Sequence, residues 1–172
     1  MKLTKLFPLL ALLLGAIAFV ACGDDEEQEP QNPGQASEAN KEVVGTYAGW
    51  TNLKTTYLDR NYANDTLTLA LADDGTLVGT FTDATWGVAT ITGIQATDEN
   101  GDYQFELNGG EGSFVMNNPR QGGTQEFACK LESGLVSPKE KKAAVVISAY
   151  MEVGHGDMTF TFQTGEMPTE DE

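Results

Sequence analysis

"DTLTLALADDGTLVGTFT", residues 65–82, decides the fold. Leu67, Leu69 and Leu71 alternate with Thr66, Thr68 and Ala70, a period of two that turns one face of a strand toward a core and the other toward water. Asp73-Asp74-Gly75 then supplies residues that tolerate the backbone of a tight turn, and a second strand follows through Leu77 and Phe81. Two short strands joined in this way form an antiparallel hairpin.

The same rhythm runs outward in both directions. Upstream stands "EVVGTYAGWT" (42–51), and downstream "WGVATITGI" (86–94), "DYQFELN" (102–108), "TQEFACKLE" (124–132), "AAVVISAYME" (143–152) and "DMTFTFQ" (157–163). In these strands Tyr103, Phe105 and Leu107 share one face, as do Phe127, Cys129 and Leu131, and Met158, Phe160 and Phe162. With the opening hairpin this makes about eight strands, and no segment of the mature chain has the 3.6-residue period of an amphipathic helix. Antiparallel strands in sequence, without crossover helices, predict an all-β meander that closes into an up-and-down barrel or folds into a sandwich. Gly45, Gly49, Gly79, Gly87 and Gly93 interrupt strands where a closing barrel bends or packs closely. "NGGEGSFVMNNPRQGG" (108–123) and "SGLVSPKEKKA" (133–143) read as long loops.

The first residues have a different character. Lys2 and Lys5 precede an uncharged run from Leu6 to Ala21, the charged and apolar regions of an export signal. At about 16 residues the run is short for a membrane-spanning helix, which needs roughly 20. It ends on Phe19-Val20-Ala21-Cys22, similar to the lipobox after which lipoprotein signals are cleaved and the cysteine acylated, although Phe19 stands where leucine is usual. Acyl chains contribute about 0.8 kcal/mol per buried methylene, so Cys22 is the expected membrane anchor. From Gly23 to Asn40 the chain is acidic and polar with two prolines and no large apolar residue, a composition that does not fold by itself. The expected organisation is a signal peptide (1–21), a lipidated cysteine and disordered linker (22–40), a β-barrel (41–167) and an acidic tail (168–172).

Charge narrows the partners. Two of the 10 Lys and Arg residues lie in the leader, leaving 8 against 26 Asp and Glu, a net charge of −18 after processing. Such a surface repels nucleic acid and anionic headgroups. With Cys22 acylated, Cys129 has no disulfide partner within the chain, so stability must come from the core.

"ACGDDEE" (21–27), "VVGTYAGW" (43–50), "ADDGTL" (72–77), "ITGI" (91–94) and "MTFTFQTGE" (158–166) together resemble the calycin-like lipoproteins of the Bacteroidota, which are related in architecture to lipocalins and fatty-acid-binding proteins. The resemblance spans about residues 43–167. It implies an up-and-down barrel with an internal cavity, and the acidic run after Cys22 is similar to a signal for export to the outer face of the outer membrane. Tyr47 takes the place of the tryptophan in the lipocalin Gly-x-Trp motif. The arginine that packs across that aromatic has no clear counterpart, since Arg120 falls in a predicted loop.

Catalytic chemistry is thinly represented. The one histidine, His155, sits between glycines in a predicted turn, which leaves no histidine cluster for zinc. Asp73-Asp74 and "DENGD" (98–102) lack the spacing of a calcium loop and occupy turn positions. Cys129, flanked on its own face by Phe127 and Leu131, reads as a small core residue. The expectation is a non-catalytic protein without metal or cofactor, held by lipid at the outer membrane and exposed at the cell surface. Its barrel is expected to take a small hydrophobic or amphipathic ligand against Tyr47, Trp86, Phe105, Phe160 and Phe162. The rival expectation is a filled barrel that engages another surface protein through its loops or outer face.

Overall fold

The computed structural model describes residues 36–98, 100–117, 122–151 and 156–169. A short helix, α1 (Glu38–Glu42), precedes nine strands: β1 (Gly45–Lys54), β2 (Asp59–Leu71), β3 (Leu77–Asp83), β4 (Gly87–Thr97), β5 (Phe105–Asn108), β6 (Glu111–Asn117), β7 (Thr124–Ser137), β8 (Lys142–Met151) and β9 (Gly156–Thr164). A 3-10 turn (Pro138–Glu140) joins β7 to β8. Every pairing is antiparallel, and β9 returns to β1, with Gly49 opposite Thr164 and Lys54 opposite Thr159. Closure leaves no free sheet edge.

Strands β5 and β6 are two halves of one strand. Against β4, Gln95 faces Asn108 and Thr92 faces Glu111, the same register on either side of Gly109-Gly110. Both halves also pair with β7. The architecture is therefore a closed, eight-stranded, up-and-down antiparallel barrel, as the alternation of "DTLTLAL" and its neighbours predicts. Gly110 has a φ of 97°, and a Cβ there would come within 2.6 Å of Ile94 and 2.8 Å of Ile91. Only glycine fits this join without strain.

Bulges shift the side-chain alternation and bend the wall. On β2, Gly49 faces Asp65 while Trp50 faces Ala63, so Asn64, at a φ of 67°, is the extra residue. Inward positions in β2 accordingly pass from Tyr62 to Asp65, Leu67 and Leu69. On β7 the register steps between Leu131 and Ser133, so the inward set moves from Cys129 and Leu131 to Val136.

These features correct four sequence expectations. Residues 111–117 form a full strand, because backbone pairing to β4 and β7 does not need the alternation that the glycines obscure. Residues 133–137 continue β7 past the bulge at Glu132. Tyr103 precedes β5 in a left-handed turn conformation (φ 62°), 47% exposed, with the Lys139 ammonium 2.9 Å from its ring centroid. The linker does not extend to Asn40, since Ser37 caps a helix that packs on the barrel. Cys22 and the proposed leader, Arg120 and His155 lie outside the described residues.

The interior is apolar, and its middle is aromatic. Phe81, Phe114, Phe160 and Phe162 are almost wholly buried, with ring centroids 5.6 Å apart for Phe81–Phe160, 6.1 Å for Phe81–Phe162 and 4.9 Å for Phe114–Phe160. Offset and edge contacts of this kind add about 0.5–1.5 kcal/mol per pair to area burial. The outer wall carries Thr66 and Thr68 on β2, Thr80 and Thr82 on β3, Thr90 and Thr92 on β4, Glu126 and Lys130 on β7, and Thr159 and Thr161 on β9. A membrane-spanning barrel has the reverse arrangement, with an apolar band outside. The wall is mainly polar, with Val88, Val115, Leu135 and Tyr150 also exposed on it.

One end is closed by α1. Asn40, fully buried, donates from Nδ2 to the Gly75 carbonyl (2.8 Å) and to Gln95 Oε1 (2.9 Å), and its Oδ1 accepts from the Ala96 amide (2.7 Å). Beside it the Tyr47 hydroxyl donates to the Val43 carbonyl (2.9 Å). Strand β1 begins and β9 ends at this closed end. The other end carries the β1–β2 and β3–β4 turns and the ends of β6 and β8, and forms the mouth.

Candidate ligand-binding site

The mouth contains an apolar recess of about 250 Å³ lined by Leu53, Thr55, Tyr57, Leu58, Trp86, Met116, Met151 and Met158. Its walls follow from strand parity. Leu53 is an inward residue near the end of β1, Met116 and Met151 are the last inward residues of β6 and β8, and Met158 is the first of β9. Thr55 Oγ1 accepts from the amides of Tyr57 (3.1 Å) and Leu58 (3.0 Å), which fixes the turn that presents Leu58. Unbranched methionines adapt to ligands of differing outline.

Trp86 stands in the β3–β4 turn, held by Asp83. The Asp83 Oδ1 accepts from the amides of Thr85 (2.7 Å) and Trp86 (2.8 Å). Tyr62 meets the Trp86 indole edge-on, with centroids 6.0 Å apart at 86°. The indole Nε1 is buried and has no hydrogen-bond partner among the described residues.

Near the recess, though outside its lining, the interior also carries buried polar side chains. Asp65 and Asp83 occupy facing inward positions, one step beyond the Thr66–Thr82 pair of β2 and β3, and are only 1% and 2% exposed. Among the described residues neither oxygen of Asp65, nor Oδ2 of Asp83, nor Oγ1 of the fully buried Thr51 has a hydrogen-bond partner. Burial pushes the Asp65 carboxyl up to about 6, and the neighbouring Asp83 charge adds to the rise. The Thr51 hydroxyl and the Ala84 amide lie near enough to temper that rise but fall short of hydrogen-bond geometry. Burial raises Asp83 as well, opposed by the Trp86 and Thr85 amides. The ion pairs of the described residues, Lys41–Glu38, Lys54–Asp59, Lys130–Glu132 and Lys142–Glu140, leave both acids unneutralised.

Of the five aromatic residues expected at a ligand, Trp86 lines the recess. Phe160 and Phe162 belong to the packed middle, Phe105 is buried in β5, and Tyr47 lies at the closed end, where burial raises its hydroxyl pKa. The polar group was missed, yet its signal is present in the chain. Asp65 continues the inward parity of Leu67 and Leu69, Asp83 that of Leu77 and Phe81, and Thr51 that of Tyr47. Among the described residues no group of three or more His, Cys, Asp or Glu side chains is placed to hold a metal ion. Burial pushes the Cys129 thiol up to about 11, which leaves little thiolate at neutral pH.

The fold and the recess define the class: a water-facing, eight-stranded up-and-down barrel with one plugged end and one apolar mouth. No protein-family model matches the chain, and no curated protein does. A crystal structure from Bacteroides fragilis, of a protein provisionally named an outer membrane protein, shares the fold at a TM-score of 0.54 and 20% sequence identity. The match covers 75% of this chain and 46% of that one, so this chain spans less than half the length of its structural neighbour.

Proposed function

We propose that this chain is a non-catalytic lipoprotein, anchored to the outer membrane through acyl chains on Cys22 and displayed at the cell surface, whose barrel mouth binds a small hydrophobic or amphipathic molecule. The mouth recess carries this reading. Its lining is almost entirely apolar, and its volume exceeds the ~150 Å³ that suffices to hold benzene in a dry protein cavity. Binding comes from burial of apolar surface, about 25 cal/mol per Å² removed from water. The packed phenylalanines confine cargo to the mouth.

The polar outer wall supports an anchor outside the barrel, because a barrel with threonines and charges facing outward gains nothing from hydrocarbon. The structural neighbour's designation fits an outer-membrane location. Replacing Met116 or Met151 by Trp should fill the recess and reduce octan-1-ol binding, measured by calorimetry, at least tenfold. Undiminished binding by folded, filled variants would place the ligand elsewhere. Cys22→Ser should move the protein from the membrane fraction to the soluble fraction or block its maturation. Unchanged membrane retention with normal processing would remove the anchor.

A further inference from the structure

We infer that the mouth prefers amphiphiles with a cationic, hydrogen-bond-donating head, an amine above all, whose apolar body fills the recess and whose head meets Asp65 and Asp83. This inference rests on the mouth recess being the binding site, and it assigns that site a ligand class.

Four atoms able to accept, the two oxygens of Asp65, Oδ2 of Asp83 and Oγ1 of Thr51, are buried near one another without partners among the described residues. A buried polar group without a partner is costly, and an ionised one far more so. No ion pair of the described residues reaches the two acids. The Thr51 hydroxyl is an independent sign: it sits on another strand, fully buried, beside the Asp65 carboxylate, and completes the polar floor.

The floor adjoins the recess through two residues. Leu53, in the recess wall, follows Thr51 on the same inward face of β1, about 7 Å along the strand. Trp86, also in the wall, has its amide held by Asp83. An ammonium carries three N–H donors and no acceptor, which matches a floor made mainly of acceptors. A carboxylate head would bring a third negative charge to the two acids, and a neutral hydroxyl head would leave their charge uncompensated.

The test compares octylamine, octan-1-ol and octanoate as probes of the full chain carrying Cys22→Ser, which cannot be acylated. Calorimetry at pH 7.5 in 1 M NaCl, where the Debye length is about 3 Å, suppresses general attraction to the acidic surface. Octylamine should bind at least tenfold more tightly than octanol, and octanoate most weakly. Asp65→Asn and Asp83→Asn should each bring octylamine close to octanol. Both replacements keep the shape of the side chain, and the carboxamide at position 83 retains an oxygen to cap the turn, so each variant should stay folded, as circular dichroism would verify. Equal binding of octylamine and octanol to the unsubstituted mouth would overturn the cationic preference and leave the recess standing. An amine preference that survives both substitutions would also overturn it. If no probe binds the folded protein, the recess reading fails, and this inference with it.

Discussion

The two ends of the barrel differ in how most of their buried polar groups are satisfied, with Asp98 Oδ1, just past β4 at the closed end, the unpartnered exception there. At the closed end Asn40 uses both amide donors and its carbonyl oxygen, and Tyr47 donates to Val43. Toward the mouth Thr51, Asp65, Asp83 and Trp86 each keep a buried polar atom without a partner among the described residues. Strand β1 supplies an inward residue to each end, Tyr47 to one and Thr51 to the other, so the contrast does not come from the strand itself. A satisfied group rigidifies, whereas an unsatisfied one stores an interaction that a ligand can complete.

Substitutions can break or sharpen that contrast. The largest effect belongs to Asn40→Ala, which strands the Gly75 carbonyl and the Ala96 amide inside the floor. Urea unfolding should show a loss of about 2–4 kcal/mol, from a penalty of roughly 1–3 kcal/mol per stranded group. A loss below about 0.5 kcal/mol would mean that the helix is not part of the barrel's stability.

Asp65→Asn should act in the opposite direction. The folded-state value of about 6 exceeds the ordinary 3.8, so the native protein holds an extra proton between those limits. Stability from this group is therefore full below pH 3.8 and is lost as pH rises through about 6. At pH 7 the substitution should stabilise the protein by roughly 1–3 kcal/mol and flatten the fall in stability between pH 4 and 7. Destabilisation at pH 7 would show that the carboxylate has a partner in solution.

Tyr47→Phe removes one donor at the closed end and should cost about 1 kcal/mol. Thr51→Val removes a hydroxyl that lies beside Asp65 outside hydrogen-bond geometry and should cost less than Tyr47→Phe, under about 0.5 kcal/mol. The pair is a direct comparison of the two ends, and equal costs in thermal or urea unfolding would erase the distinction between them.

Much of the fold was legible because seven of its eight barrel strands keep recognisable alternation in the chain. The "DTLTLAL" strand, the "ADDGTL" turn and the Met158-Phe160-Phe162 face are formed as their periodicity predicts. What escaped lies at irregularities. Glu132, the extra residue of a bulge, breaks the alternation of β7, so Gly134–Ser137 looked like loop. Gly109, Gly110 and Gly112 hid β6 because glycine has no side chain to declare a face. At the site, Trp86 was legible as a large aromatic near a strand end, but Asp65 and Asp83 sit at turn-like boundaries where acids are expected for local reasons. Their parity with Leu67 and Leu69 and with Leu77 and Phe81 already points inward, but it is masked by the turn chemistry that acids at strand boundaries usually serve.

Because β1 begins and β9 ends at the plugged end, both chain termini of the barrel leave on the side opposite the mouth. For engineering this makes the barrel a convenient display scaffold. A reporter or affinity tag fused at either terminus attaches away from the mouth, and a circular permutation can join the native ends there without crossing it. The turn at Thr55–Leu58 and the turn at Ala84–Trp86 then become grafting positions, where new recognition sequences can be installed on a wall whose register is already fixed.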